Sequence, residues 1–314
     1  MLNRRHLRIK ILHAVYAYLQ SQNSDLVKGE KELKFSIEKF YEMYLYLLAI
    51  FIEIHHAASL RVEEGKKKRL PTPEDLNPNL KFIRSGVFKM ILNNRHLKKE
   101  LENKKISWAN HEELVRKVYK NIRESEDYEK YMNSGIRSIK EDKNFFVEIF
   151  KKFIANEENI HHFFEERSIY WNDDLDLVSV MIINTIRAFK IEDAEDNKLF
   201  SLYKEDDDEK YVKVLFRKTI LEKEENLEII EAKITNWELD RIALMDRLIM
   251  CMALSEATNF PGIPLKVTLN EYIEISKFYS TPKSAQFING ILDKITQEFK
   301  KSGKIQKTGR GLME

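Results

Sequence analysis

Three features of the 314-residue chain predict an all-α fold. Glycine (9) and proline (6) are scarce, so the two commonest interrupters of regular structure are nearly missing. Apolar residues recur at i, i+3, i+4 and i+7 along long stretches, the spacing of one helix face. No strand followed by a glycine-rich turn and a helix occurs, which also leaves dinucleotide and nucleoside triphosphate cradles without support. The composition, 43% hydrophobic and 33% charged, suits a large core under a charged surface, and the length suits roughly two domains.

The first helix is expected over residues 4–21, RRHLRIKILHAVYAYLQS, with Leu7, Ile11, Ala14 or Val15 and Tyr18 on one stripe. Arg4, Arg5, Arg8 and Lys10 crowd its first turns and no acid precedes Asp25. Cations there oppose the helix dipole, and a bound polyanion would relieve the conflict. Residues 29–64 read as one long helix whose stripe of Phe40, Tyr44, Leu47 or Leu48 and Phe51 fits a core better than a stacking platform. The segment KKKRLPTPEDLNPN, with three prolines, ends it, and its Lys66 to Arg69 run is a solvated loop or an accessory phosphate contact. The most apolar run, MYLYLLAIFI, stops after ten residues at Glu53, about half of a bilayer span, so a cytoplasmic protein without a membrane segment is expected.

Further helices fit residues 80–103, 110–133, 143–167 and 173–190, the last capped by Asn172 or Asp173. An acidic connector, 192–210, leads to two helices within DDDEKYVKVLFRKTILEKEENLEIIEAKI and WELDRIALMDRLIMCMALSEA, the second with Trp237, Met245 and Met252 on one face. After the stop FPGIPLK, residues 265–279 and 284–301 form the closing helices, with Pro264 and Pro282 near their starts. The glycine-dotted basic tail beyond them reads as disordered. The single cysteine, Cys251, sits in an apolar run as a small buried hydrophobe and gives no sign of an oxidising compartment.

Two constellations carry chemistry. Glu-x-x-His occurs twice, at Glu53/His56 and Glu158/His161, and in a four-helix bundle that spacing turns a carboxylate and an imidazole toward a di-metal centre. Glutamate is abundant, however, and the same residues serve equally as surface ion pairs, so the di-metal carboxylate enzyme is kept as the alternative only. The acid-free basic start of the first helix, with Tyr16 and Tyr18 beyond it, offers cations for phosphates and flat rings for unpaired bases. A merely solvated charged face is its competing explanation.

The closing strings KVTLNEYIEISKFY and QFINGILDKI resemble the signature end of the NusB family of transcription antitermination factors, which runs close to VAINEAVELAKKFG and then KFVNGVLDKI. NWELDRIALMDRLIMCMALSEATNFPGIP and RRHLRIKILHAVYAY resemble two further family motifs, in family order. The resemblance implies a NusB-like helical core made of residues 1–25 and 205–314, enlarged by a helical insertion at 26–204 of unknown role. It further implies a non-enzymatic factor without cofactor or metal that binds a boxA-like single-stranded RNA together with the ribosomal protein NusE, within the transcription elongation complex. Carried over by position, the RNA surface comprises Arg4, Arg5, Arg8 and Tyr16, then Tyr279, Lys283, Ser284, Gln286 and Phe287, while Asp246 faces the ribosomal partner. The chain departs from the family pattern at Ile9, Met250-Cys251, Ser280 and Lys283. Within the signature, Gly290 is expected where another helix approaches closely, and Asn270 and Asn289 where side chains bond across helices.

Overall fold

The computed structural model describes residues 2–21, 25–171, 174–234, 241–281 and 283–312. The expected caps Asn172 and Asp173, the periodic Trp237 and the helix-start Pro282 lie outside them. Among the described residues there are fifteen α-helices and no strand. In chain order they are α1 (Arg4–Gln20), α2 (Leu26–Lys66), α3 (Pro73–Leu76), α4 (Gly86–Asn93), α5 (Arg95–Lys104), α6 (Glu112–Arg123), α7 (Glu126–Asn133) and α8 (Ile139–Phe150). These are followed by α9 (Glu158–Arg167), α10 (Leu175–Ala188), α11 (Asp208–Leu221), α12 (Lys223–Glu231), α13 (Leu244–Asn259), α14 (Leu265–Tyr279) and α15 (Ser284–Ser302). The chain divides into a terminal unit, Met1–Ile37 with Leu202–Glu314, and a middle unit, Glu38–Ser201.

Several expected helices are broken where a polar residue inside the periodic pattern caps a new start. Asn94 accepts from the Leu97 amide at 2.8 Å and separates α4 from α5, and Ser125 accepts from the Tyr128 amide at 3.2 Å and separates α6 from α7. The expected 143–167 helix is divided by a π-helical turn, Lys151–Ala155.

In the middle unit the aromatic stripe of α2 is core, as its spacing predicts: Phe40, Tyr44 and Phe51 are each at most 1% exposed. Phe51 joins a ring cluster with Phe82, Phe88, Phe146 and Phe150, and Tyr46 joins another with Trp108, Phe163, Phe164 and Trp171. By length and composition α2 does reach the requirement for a membrane span, with a mean hydropathy of 1.4 over its most apolar window, contrary to the expectation from the ten-residue run. Most of that window is buried within the fold, and a central bundle helix has the same composition.

The di-metal alternative fails on geometry. Among the described residues no three His, Cys, Asp or Glu side chains are grouped to hold a metal ion. His161 turns its Nε2 to the carbonyl of Ala155 at 2.7 Å, an acceptor in the π-helical turn, and His162 lies 3.5 Å from Glu165.

In the terminal unit α13 is the hub. Its residues Leu248 to Ala257 are buried on every side, by packing against α1, α11, α12, α14 and α15. The Leu2 amide bonds the Leu202 carbonyl at 3.2 Å, and an isolated parallel bridge joins Leu2 to Tyr203, which holds the chain start beside the segment entering α11. The described part of the basic tail, through Leu312, is ordered against expectation. Lys307 Nζ donates to the carbonyls of Ala257 and Phe260 at 2.9 and 3.0 Å, and the Thr308 amide donates to Pro261 at 3.0 Å. The end of α13 has carbonyls in need of donors, and composition alone does not reveal that the tail supplies them. A Cβ on Gly311 would stand 1.9 Å from the Pro261 oxygen, so only glycine permits this approach.

Candidate nucleic-acid interface

Helix α1 starts with Asn3, whose side chain accepts from the His6 amide at 3.1 Å. It lies beside α14 in parallel: Arg5 forks onto both oxygens of Glu271 at 2.9 and 2.7 Å, and two turns further along His13 meets the edge of Tyr279 at 5.0 Å. The spacing from 5 to 13 on α1 equals that from 271 to 279 on α14, so the pair keeps register.

Arg8 is the largest correction to the expected RNA surface. Its side chain is 2% exposed, and its Nε and one terminal nitrogen reach the two oxygens of Glu256 on α13 at 2.7 Å each. Glu256 also accepts from the hydroxyls of Tyr211 at 2.6 Å, Thr268 at 2.8 Å and Tyr272 at 3.2 Å. The Arg8 guanidinium lies 5.8 Å from the ring centres of both tyrosines. Burial alone would raise the Glu256 pKa, but the Arg8 charge and these hydrogen bonds outweigh it and hold the carboxyl below its ordinary value. Burial likewise opposes the Arg8 charge, and the Glu256 field reverses the effect, so the guanidinium is held charged. Both tyrosine hydroxyls are pushed well up by burial and by the Glu256 charge, so they act as donors.

The conflict of cations with the α1 dipole is therefore relieved largely by the protein's own carboxylates. Arg4 bonds Asp208 at 3.1 Å, approaches Glu205 at 3.8 Å and lies over the Tyr211 ring at 5.0 Å. His6 is depressed to about 4 by burial and then by Arg5, so it is neutral at pH 7.

Two other expected surface groups lie inside. Ser284 is 7% exposed and shares a 2.8 Å hydrogen bond with the Thr281 hydroxyl. Asp246, expected to face a partner, is 5% exposed and accepts a hydrogen bond from Ser280, so its carboxylate is spent on the α14–α15 loop.

What remains accessible is a set of polar and aromatic side chains on α1, the end of α14 and the start of α15. Arg5, Tyr16, Lys283 and Gln286 are exposed, and Arg4, Tyr279 and Phe287 are half-buried. Lys283 makes no ion pair among the described residues. The prediction missed Phe278, which is 79% exposed beside Tyr279. Its signal was legible: positions 267, 271, 274 and 278 form the stripe opposite the buried Leu265, Thr268, Tyr272 and Ile275. Cations with half-exposed rings can neutralise phosphates and stack unpaired bases. Cys251, fully buried and pushed up to about 12 by burial, is an inert thiol.

The signature residues are also placed differently from the expectation. A Cβ on Gly290 would meet nothing within 4 Å, so no helix approaches there, and neither Asn270 nor Asn289 makes a side-chain hydrogen bond among the described residues. Replacing Gly290 with alanine is therefore expected to stabilise the protein by about 1 kcal/mol. Denaturant midpoints check this, and a loss of stability would reveal a close contact at that position.

Residues 175–297 match the NusB family. Relatives include "Transcription antitermination protein NusB" of Salinibacter ruber, 48% identical over 99 residues, which covers 32% of this chain and 62% of the relative. The protein of the same name from Chloroherpeton thalassium is 48% identical over 79 residues, 25% of this chain and 37% of its own. That of Pseudothermotoga lettingae is 43% identical over 79 residues, 24% of this chain and 56% of its own. The chain thus spans between about a third and three fifths of the length of these curated relatives. No solved structure matches.

Proposed function

We propose that the terminal unit is a NusB-like core that binds single-stranded RNA of the boxA type together with the ribosomal protein NusE, within the transcription elongation complex. Its role is transcription antitermination in support of ribosomal RNA synthesis, without enzymatic activity and in the cytoplasm. The observation that carries this is the match to the NusB family over residues 175–297, which includes α10, at the end of the middle unit, then α11 to α14 and most of α15. The face of Arg5, Tyr16, Phe278, Tyr279, Lys283 and Phe287 supports it, because it combines cations with rings. Arg8, Ser284 and Asp246 act from within, by fixing the helices and the loop that present this face. The middle unit has no assigned part.

A pull-down from a native lysate, with RNA and proteins both identified, tests the proposal. Recovery of ribosomal RNA leader with the NusE-type protein is expected. Recovery of neither overturns it.

A further inference from the structure

A second polar surface lies on the opposite side of α14 from α1. The first turns of α14 and the second half of α15 enclose a groove of about 290 Å³, lined by Lys266, Asn270, Asn289, Asp293, Gln297 and Lys300 among others. A neighbouring cavity of about 450 Å³ shares Leu265, Lys266 and Lys300 with it and extends to the ordered tail at Gly311 and Leu312.

Three local rules fail together here. Gly290 stands mid-helix facing open space, and Asn270 and Asn289 occupy helix interiors without a side-chain hydrogen bond among the described residues. Each is a poor choice for helix stability with no compensating contact in the fold, and such mismatches concentrate at functional surfaces.

The outward stripe of α15 runs Gln286, Gly290, Lys294, Gln297, Lys301, at helical spacing. It begins at a residue of the candidate RNA face and passes along the groove. In the groove Lys266 and Lys300 form no ion pair among the described residues, against the single carboxylate of Asp293, and along the stripe Lys294 and Lys301 flank Glu298, which is engaged by Lys233 at 2.6 Å. The α15 stripe itself has no exposed aromatic or large aliphatic side chain, the kind of anchor on which protein partners depend, and the exposed apolar groups nearby are Val267 on α14 and Leu312 at the far cavity. Unpaired lysines and carboxamides beside bare backbone instead suit a phosphodiester chain with accessible base edges and 2′-hydroxyls.

We infer that this groove is a second RNA track, which receives single-stranded RNA continuing from the face around Lys283 along α15 and over Gly290. The inference rests on the RNA-binding function proposed above and adds a separate contact to it. Lys266 and Lys300 neutralise phosphates, and the Asn270 and Asn289 carboxamides contact sugar or base.

The test is fluorescence anisotropy of the full chain with two single-stranded RNAs that share one boxA-like segment, about 8 and about 24 nucleotides long, over a range of salt. The longer RNA is expected to bind more tightly and with a steeper dependence of log K on log salt. The Lys266→Ala/Lys300→Ala variant, altered only at exposed positions, should lose about 1.4 from that slope, about 0.7 for each phosphate contact on a single strand. Its binding of the short RNA should stay unchanged. Gly290→Leu should weaken the long RNA alone. Equal binding of both lengths by the unaltered chain, or an unaltered slope in the lysine variant, overturns the second track while leaving the primary RNA face standing. Unchanged RNA binding with loss of NusE-type capture by the lysine variant would assign the groove to protein and likewise overturn it. Failure of both RNAs to bind the unaltered chain overturns both proposals.

Discussion

Arg8→Ala is expected to destabilise the terminal unit by about 3–5 kcal/mol, the usual consequence of leaving a buried charge without its partner. Glu256 would keep the hydroxyls of Tyr211, Thr268 and Tyr272 but lose both short hydrogen bonds from the guanidinium. Glu256→Gln leaves Arg8 with one carboxylate, Glu271 at 3.6 Å, which it shares with Arg5, so this change should cost less than Arg8→Ala. The double replacement Arg8→Met/Glu256→Leu should cost less than the sum, because neither charge is left buried without the other, although it still leaves the hydroxyls of Tyr211, Thr268 and Tyr272 without their acceptor. Denaturant unfolding followed by circular dichroism measures this. The transition of the terminal unit should move, and a shift below about 1 kcal/mol for Arg8→Ala would contradict a central role for the pair.

The same pair sets an acid limb. The folded Glu256 carboxyl has its pKa below the ordinary 4.5, so its contribution is fully present above pH 4.5 and is lost as pH falls through the folded value. Glu256→Gln should flatten stability against pH in that range.

The second large effect concerns the exposed rings. Phe278→Ala and Tyr16→Ala are each expected to weaken single-stranded RNA binding by about 1–3 kcal/mol, roughly 5- to 150-fold, if each ring stacks one base. Their side chains are 79% and 39% exposed, so stability should change by no more than about 0.5 kcal/mol. This separates them from Arg8→Ala, which should lose RNA through misplacement of α1. Titration of each variant against the unaltered chain, with unfolding measured in parallel, checks both halves. Unchanged affinity in both ring variants would remove stacking from the account.

Periodicity and the scarcity of glycine and proline made the helices legible, and the apolar spacing of α2 identified its aromatic stripe as core. Helix breaks were less visible, because Asn94 and Ser125 look like ordinary polar positions until one sees that they cap. For Arg8, motif position suggested a surface that burial denies. A lone carboxylate at Glu256 within IMCMALSEA demanded a buried cation, and the acid-free first helix was the place to seek it. Gly290 was misread for a different reason. A glycine inside a helix is compatible with close packing or with an open binding surface, and only the surroundings in space distinguish them. The ordered tail depends on the Lys307 bonds to carbonyls that α13 exposes at its end, a match between segments remote in sequence.

The most direct measurement is a titration of boxA-like single-stranded RNA with the full chain, alone and with NusE, at several salt concentrations. Saturable binding is predicted, with log K falling linearly in log salt by about 0.7 per phosphate contacted. Absence of binding at low salt under both conditions, or an affinity indifferent to salt, would contradict the assignment of the terminal unit as an RNA-binding core.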